Sequence, residues 1–335
     1  MSTSIHNTTP TESASSGDWQ PRTELVEAMR RIATIAEDDE TAVISDTEIT
    51  FQNRSQRTTI SATPVGVEAI DGYWISERIE IRTPLDAFED FDEERLAVIN
   101  TFATTGAIVR DADGHDAIVS SLPVFEVDTV ALADLYTALI ANGALMHLIG
   151  PLCAAFQISG RRDEFPPAQL ALPGWDDPSY WDASDFEYAK EGLRAKGVWA
   201  NAGPRGLTAE FAWEEGASSA MLGDCTSLLQ IHADQPHPSA GNGLLYRLAL
   251  PVNFAADEAH RCAAVLNRYE VNGVDTPPFF GAWCSPPNST TLSFVGFWPN
   301  RMYQRGTVAN IASWCAARSR IARQVIGNGT LADTI

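Results

Sequence analysis

The chain has 335 residues, of which 44% are hydrophobic and 20% charged. That length suggests two domains at about 100 to 200 residues each, and the composition excludes wholesale disorder, a collagen-like repeat and a disulfide scaffold. With 44 acidic residues against 23 Lys and Arg, the formal net charge is −21. Approach to nucleic-acid phosphates or to an anionic membrane surface therefore begins with repulsion, and neither partner is expected.

Cys153, Cys225, Cys262, Cys284 and Cys315 are odd in number and include no Cys-x-x-Cys pair. They fit reduced cytoplasmic thiols better than a disulfide framework. The N-terminus has neither the basic nor the apolar region of a secretory leader. The richest apolar stretch, Ala138 to Phe156, is broken by Asn142, His147 and Pro151, so no membrane span is expected. A soluble cytoplasmic location follows as the expectation.

Residues 1–20 are polar and Ser/Thr-rich and are expected to form a disordered tail. From Thr23, the apolar residues Leu25, Val26, Met29, Ile32 and Ala33 recur at helical spacing. Strand-like runs follow at Ala42 to Ser45, Ile49 to Phe51, Thr58 to Ala62, Gly66 to Ile70 and Tyr73 to Arg82, with a hairpin signal at Asp71-Gly72. Six acids between Asp86 and Glu94 lead into a helix carrying Leu96, Val98, Ile99 and Phe102, where acid in the first turn suits the helix dipole. Strands at Ala107 to Val109 and Ala117 to Phe125 flank a turn at Asp113-Gly114, and an apolar helix from about Thr129 to Leu148 closes the unit. Residues 159–183, with four prolines, Trp175 and Trp181, read as an extended linker.

The order of elements then starts again. Ser184-x-x-Glu187 reads as a capping box opening a helix, 161 positions after Thr23. Phe211-x-Trp213 follows Ile49-x-Phe51 by 162, Tyr246 to Leu250 follows Glu77 to Ile81 by 169, and Ala263 to Asn267 follows Leu96 to Asn100 by 167. A strand from Thr291 to Trp298 and a helix from about Asn300 to Ile326 complete the second copy. The near-constant offsets predict an internal duplication, residues 21–158 and 184–328, each copy running helix, three-strand meander, helix, two strands, helix.

This order, with the apolar closing helix Leu132 to Leu148 and its counterpart Val308 to Ile326, resembles the type III secretion chaperone-like fold in its YbjN-like branch. The resemblance implies α+β architecture, two tandem copies of a single antiparallel sheet with helices on one face, related by a pseudo-twofold. Single-copy members of that group pair into dimers, so this chain would be a fused, monomeric pseudo-dimer. It further implies a non-catalytic chaperone-like or regulatory protein that binds a protein or peptide client, and it brings no cofactor and no catalytic residue. One departure is an insertion at Asp234 to Gly243, where the first copy has only Asp71-Gly72.

Asp111-x-Asp113-Gly114-x-Asp116 lacks room for the distal Glu of a calcium loop and reads as a polar turn. Cys225, His232 and His237 have no recognised zinc spacing and no fourth ligand, so no metal is expected. Cys262 and His260 stand two apart on a helix and point to different sides, and nucleotide, hydrolase and protease motifs are absent, so no enzyme is expected. Phe279, Phe280, Trp283 and Trp298 are the candidate partner-binding residues, as an exposed aromatic patch. Five arginines between Asn300 and Ile326, set against the acids of Asp86 to Glu94, suggest that the copies dock partly by charge. The alternative function is an enzyme or small-ligand binder with a pocket between the copies, where Tyr73, Trp74, His147 or His260 would converge. An immunity or antitoxin-like protein is a third possibility that acidity alone supports.

Overall fold

A computed structural model describes residues 23–36, 43–45, 47–53, 56–68, 74–86, 88, 91–102, 105–111, 113–125, 139–140, 143–144, 146–147, 151–160, 180–213, 226–237, 240–273, 275–286 and 290–327. The protein is α+β, with two antiparallel sheets. In chain order the first sheet is preceded by helix α1 (Thr23–Ala36) and contains β1 (Val43–Ile44), β2 (Glu48–Asn53), β3 (Gln56–Glu68) and β4 (Trp74–Pro84). Helix α2 (Glu93–Asn100) leads to β5 (Ala107–Arg110) and β6 (Asp116–Phe125), and α3 (Pro151–Ile158) follows. The second series is α4 (Ala183–Ala195), β7 (Trp199–Gly203), β8 (Gly206–Ala212), β9 (Thr226–His237), β10 (Gly241–Ala249), α5 (Ala256–Asn272), β11 (Ala282–Cys284), β12 (Ser293–Pro299) and α6 (Thr307–Gly327).

The first sheet is ordered β1-β2-β3-β4-β6-β5, and the second β7-β8-β9-β10-β12-β11. The strand order is therefore the same in both. Each meander has four strands where three were expected: the first opens with the two-residue β1, and in the second β7 is short and carries only Trp199 and alternating alanines as apolar signal.

Period-two patterning builds both sheets. In β4, Ile75, Ile79, Ile81 and Thr83 point inward and are buried, and in β8 and β9 the inward residues include Leu207, Ala209, Leu229 and Ile231. One buried cluster runs from Leu25 in α1 to Val325 in α6 and includes both sheets, while a smaller one gathers Leu96, Ile99, Ile118, Leu152 and Phe156 beneath α2 and α3.

Several local expectations are corrected. The run 58–62 and residues 66–68 of the run 66–70 belong to one strand, β3, with a bulge between Pro64 and Val67 where Gly66 takes a φ of 65°. The supposed insertion at Asp234 to Gly243 is mostly strand, since β9 and β10 stay paired from Ala249↔Leu228 to Gly241↔His237. Asp234 takes a φ of 53° there, and its carboxylate accepts from Arg205 and from Asn300 Nδ2. The second unit's first helix is capped by Asp182 with Asp185, two residues before the predicted Ser184 and Glu187. The closing helix begins at Thr307, after a 3₁₀ turn at Asn300–Met302.

Of the predicted linker, Trp181 is buried against Tyr303 at a ring separation of 5.5 Å. Trp175, the tail at 1–20 and most of the helix from Thr129 to Leu148 lie outside the described residues. No helix among the described residues is long and apolar enough to cross a membrane. Ile231, fully buried in central strand β9, tests the packing: Ile231→Ala should lower the unfolding free energy by about 2–5 kcal/mol in denaturant titration, whereas exposed Arg320→Ala should stay within about 0.5 kcal/mol.

Candidate functional site

The residues that carry chemistry in this fold gather where the two units meet. Strands β5 and β11 are short, buried edge strands, and an edge strand exposes backbone groups that burial forces to find partners. A buried asparagine supplies them in each unit. Asn100 on α2 accepts from Ile108 N at 2.8 Å and donates to Ile108 O at 3.2 Å. Asn267 on α5 accepts from Trp283 N at 2.7 Å and donates to Trp283 O at 2.9 Å. The two asparagines are 3% and 1% exposed and 167 positions apart.

The repetition goes further. Each clamped strand begins Gly-Ala, at Gly106-Ala107 and Gly281-Ala282, and in each unit the carbonyl before the glycine accepts a buried hydroxyl: Ser120 Oγ donates to Thr105 O, and Tyr246 Oη to Phe280 O. A Cβ on Gly281 would stand 2.5 Å from Val295 O, at a φ of 145°, so only glycine fits. Across the seam, α2 packs on α5 and on β11, while α5 packs on β5. A cavity of about 50 Å³ between them is lined by Glu93, Leu96, Ala97 and Asn100 from α2 and by His260, Ala263, Ala264 and Asn267 from α5, four pairs each 167 positions apart.

Backbone and charge stitch the units together. Ser121 of β6 pairs with Phe279, whose N–H donates to Ser121 O at 2.7 Å. Arg78 Nη2 donates to Ser121 Oγ at 2.7 Å and to Glu270 O at 2.8 Å. His237 Nδ1 accepts from Ala240 N, which leaves Nε2–H to donate to Phe102 O at 3.4 Å. Behind the seam lies a buried ion pair, Arg318 Nε to Glu270 Oε2 at 2.9 Å, with Trp283 Nε1 donating to Glu270 Oε1 at 2.6 Å and the guanidinium 4.1 Å from the Phe294 ring centroid. Burial pushes the Glu270 carboxyl above the usual carboxylate range, against the pull of Arg318.

This geometry corrects the sequence expectations. Phe279, Phe280, Trp283 and Trp298 are 0%, 2%, 0% and 2% exposed, so the expected surface patch is core. Phe279 and Trp283 enclose the ion pair, Trp283 as its hydrogen-bond donor, and Phe280 packs edge-on to Trp298 at 5.5 Å. Arg318 pairs with Glu270 of its own unit and Arg323 donates to Trp213 O, so these members of the arginine row serve the second unit rather than the acids at 86–94. His147 and His260 lie in different clusters rather than converging; Tyr73 lies outside the described residues, as does Cys225. Among the described residues no group of His, Cys, Asp and Glu could hold a metal. Asp111 accepts from the N–H groups of Asp113 and His115, as a turn requires.

Sequence reasoning named His147 but not its partners. His147, fully buried, stands between Thr83 Oγ1 at 3.1 Å and Ser120 Oγ at 2.7 Å, and Thr83 in turn contacts Thr58 at 3.0 Å. Because Ser120 gives its proton to Thr105 O, His147 Nε2–H must donate to Ser120 and Nδ1 must accept from Thr83. The imidazole therefore does not act as a base toward Ser120, and burial lowers its pKa to about 3. No motif marks these residues, whose contacting pairs are separated by 25 to 64 positions.

Comparison with family models, with curated proteins and with solved structures finds no match in any of the three.

Two outcomes follow from the geometry. Asn267→Ala leaves the Trp283 N–H and C=O buried and unpaired, and should lower the unfolding free energy by about 2–4 kcal/mol in denaturant titration. For His147 the folded pKa lies below the unfolded value of 6.5, so between about pH 6.5 and pH 3 the unfolded chain binds the extra proton. Stability is then present above that window and is lost as pH falls through it. Unfolding measured at pH 7.5 and pH 4.5 should show the parent losing roughly 2–3 kcal/mol more than His147→Gln.

Proposed function

We propose that the chain is a tandem duplication whose two copies meet about a pseudo-twofold axis, a fused dimer of the YbjN-like, type III secretion chaperone-like kind. Its function is to bind a protein or peptide segment in the cytoplasm, as a chaperone-like or regulatory protein without catalysis. The observation that carries this reading is the repeated seam: the same asparagine clamp, the same Gly-Ala strand start and the same helix positions occur in both units. An interface built from matching parts of two copies is what fusion of a symmetric dimer produces.

The chemistry of the polar groups supports a non-catalytic role. Burial raises the Cys262 thiol to about 11 and the Cys284 and Cys315 thiols to about 12, which makes them poor nucleophiles. The Ser120 and His147 pair is buried and its proton directions oppose attack by Ser120. The seam cavity is too small for a metabolite, which disfavours the alternative of an enzyme or small-ligand binder.

A client surface is available at β7, which ends the second sheet among the described residues and presents an edge to which an extended segment can add. Trp199 on that strand is 41% exposed and Tyr188 on the adjoining α4 is 68% exposed, and aromatic side chains of this kind anchor interfaces. The charge of −21 favours a basic client.

Affinity capture from native extract, with mass spectrometry, tests the reading. One stoichiometric protein partner is expected at low salt, weakened at high salt and reduced in Trp199→Ala. Recovery of the chain alone as a monomer at low salt would overturn it.

A further inference from the structure

The seam cavity holds polar groups that its geometry leaves without partners. Its volume of about 50 Å³ corresponds to about three to five waters at roughly 10–15 Å³ each. His260, 8% exposed, presents an Nε2 with no hydrogen-bond partner, and Arg268 presents a buried, unpartnered Nε–H. The Arg268 guanidinium makes no ion pair among the described residues. The other polar lining groups are committed: Asn100 to Ile108, Asn267 to Trp283, and Arg110 to Asp116 through two bonds of 2.9 Å. Glu93 also lines the cavity, with its side chain in solvent.

An unpartnered buried N–H costs free energy that a suitable acceptor recovers, and an unpaired guanidinium selects an acceptor bearing negative charge. A cation is excluded from the same spot by Arg268. We propose that this cavity binds one small oxyanion of the phosphate or sulfate class. Arg268 and His260 stand eight positions apart on α5, about 12 Å along the axis. The oxyanion therefore sits against the Arg268 guanidinium and Nε–H, and a water in the remaining volume carries the hydrogen bond to His260 Nε2. The site lies on the contact between the units, so occupancy stabilises their association. This inference is independent of whether the chain binds a protein client.

The test is thermal unfolding and calorimetric titration of the full chain with inorganic phosphate, sulfate and chloride at one ionic strength. Phosphate or sulfate should raise the Tm with a saturating dose dependence that chloride does not reproduce. Arg268→Gln should weaken the apparent affinity about tenfold or more, and His260→Gln by a smaller factor, about threefold. Arg320→Gln, an exposed arginine elsewhere on the surface, should leave the affinity unchanged. Since Arg268 has no partner to lose among the described residues, its variant is expected to fold; if it does not, the His260→Gln titration decides. An equal effect of all three anions, or parent-like affinity in the variant that decides, would overturn the proposal.

Discussion

The seam depends on one constraint, the need to satisfy the backbone of a short strand that is both a sheet edge and buried. In most sheets an edge keeps its outer N–H and C=O groups in water. Here β5 and β11 end their sheets, and yet each is covered by helices of both units, so water is excluded. The primary amide of asparagine is a geometric substitute for the missing strand, one acceptor and one donor at the spacing of a peptide group. Asn100 and Asn267 each close both bonds of the middle strand residue, which lets a helix from the opposite unit lie over the edge without leaving polar groups unpaired.

Around the Asn267 clamp the second unit concentrates charge and aromatic surface. Burying Arg318 and Glu270 is costly in itself, because each loses hydration that the pair only partly restores. The surroundings offset that cost: Trp283 donates to the carboxylate, Pro278 O accepts from the guanidinium, and the face of Phe294 lies against the cation. The same Trp283 whose indole contacts Glu270 is the residue whose backbone Asn267 holds. Breaking the clamp would therefore also disturb the ion pair, and the effects of Asn267 and Glu270 substitutions should not add.

The two units solve the same packing problem with different side chains. The carbonyl ahead of the strand-opening glycine takes a proton from a serine in the first unit and from a tyrosine in the second. The first unit fills the neighbouring space with His147 and two threonines, while the second uses Leu248, Phe294 and Gly296 in the corresponding strands. Such differences keep the backbone and its hydrogen bonds while volume and polarity are exchanged, which is how two units with the same strand order share so few residues.

The sequence by itself determined most of the local structure and the order of the repeat. Leu25 and Met29 at helical spacing, the alternation of Ile75, Ile79 and Ile81, and the offset between Leu96 to Asn100 and Ala263 to Asn267 all reflect periodicities that a chain must carry locally. Tertiary structure decided the rest. Phe279, Phe280, Trp283 and Trp298 are the residue types found both in cores and at interfaces, and only packing against α5, α6 and β6 settles that these are core. The choice of Asp182 over Ser184 as helix cap, the partners of Arg318 and Arg78, and the cavity beside His260 depend on which distant segments come together. Those pairings join residues as far apart as 192 positions, and no local pattern in a single sequence encodes a contact across that separation.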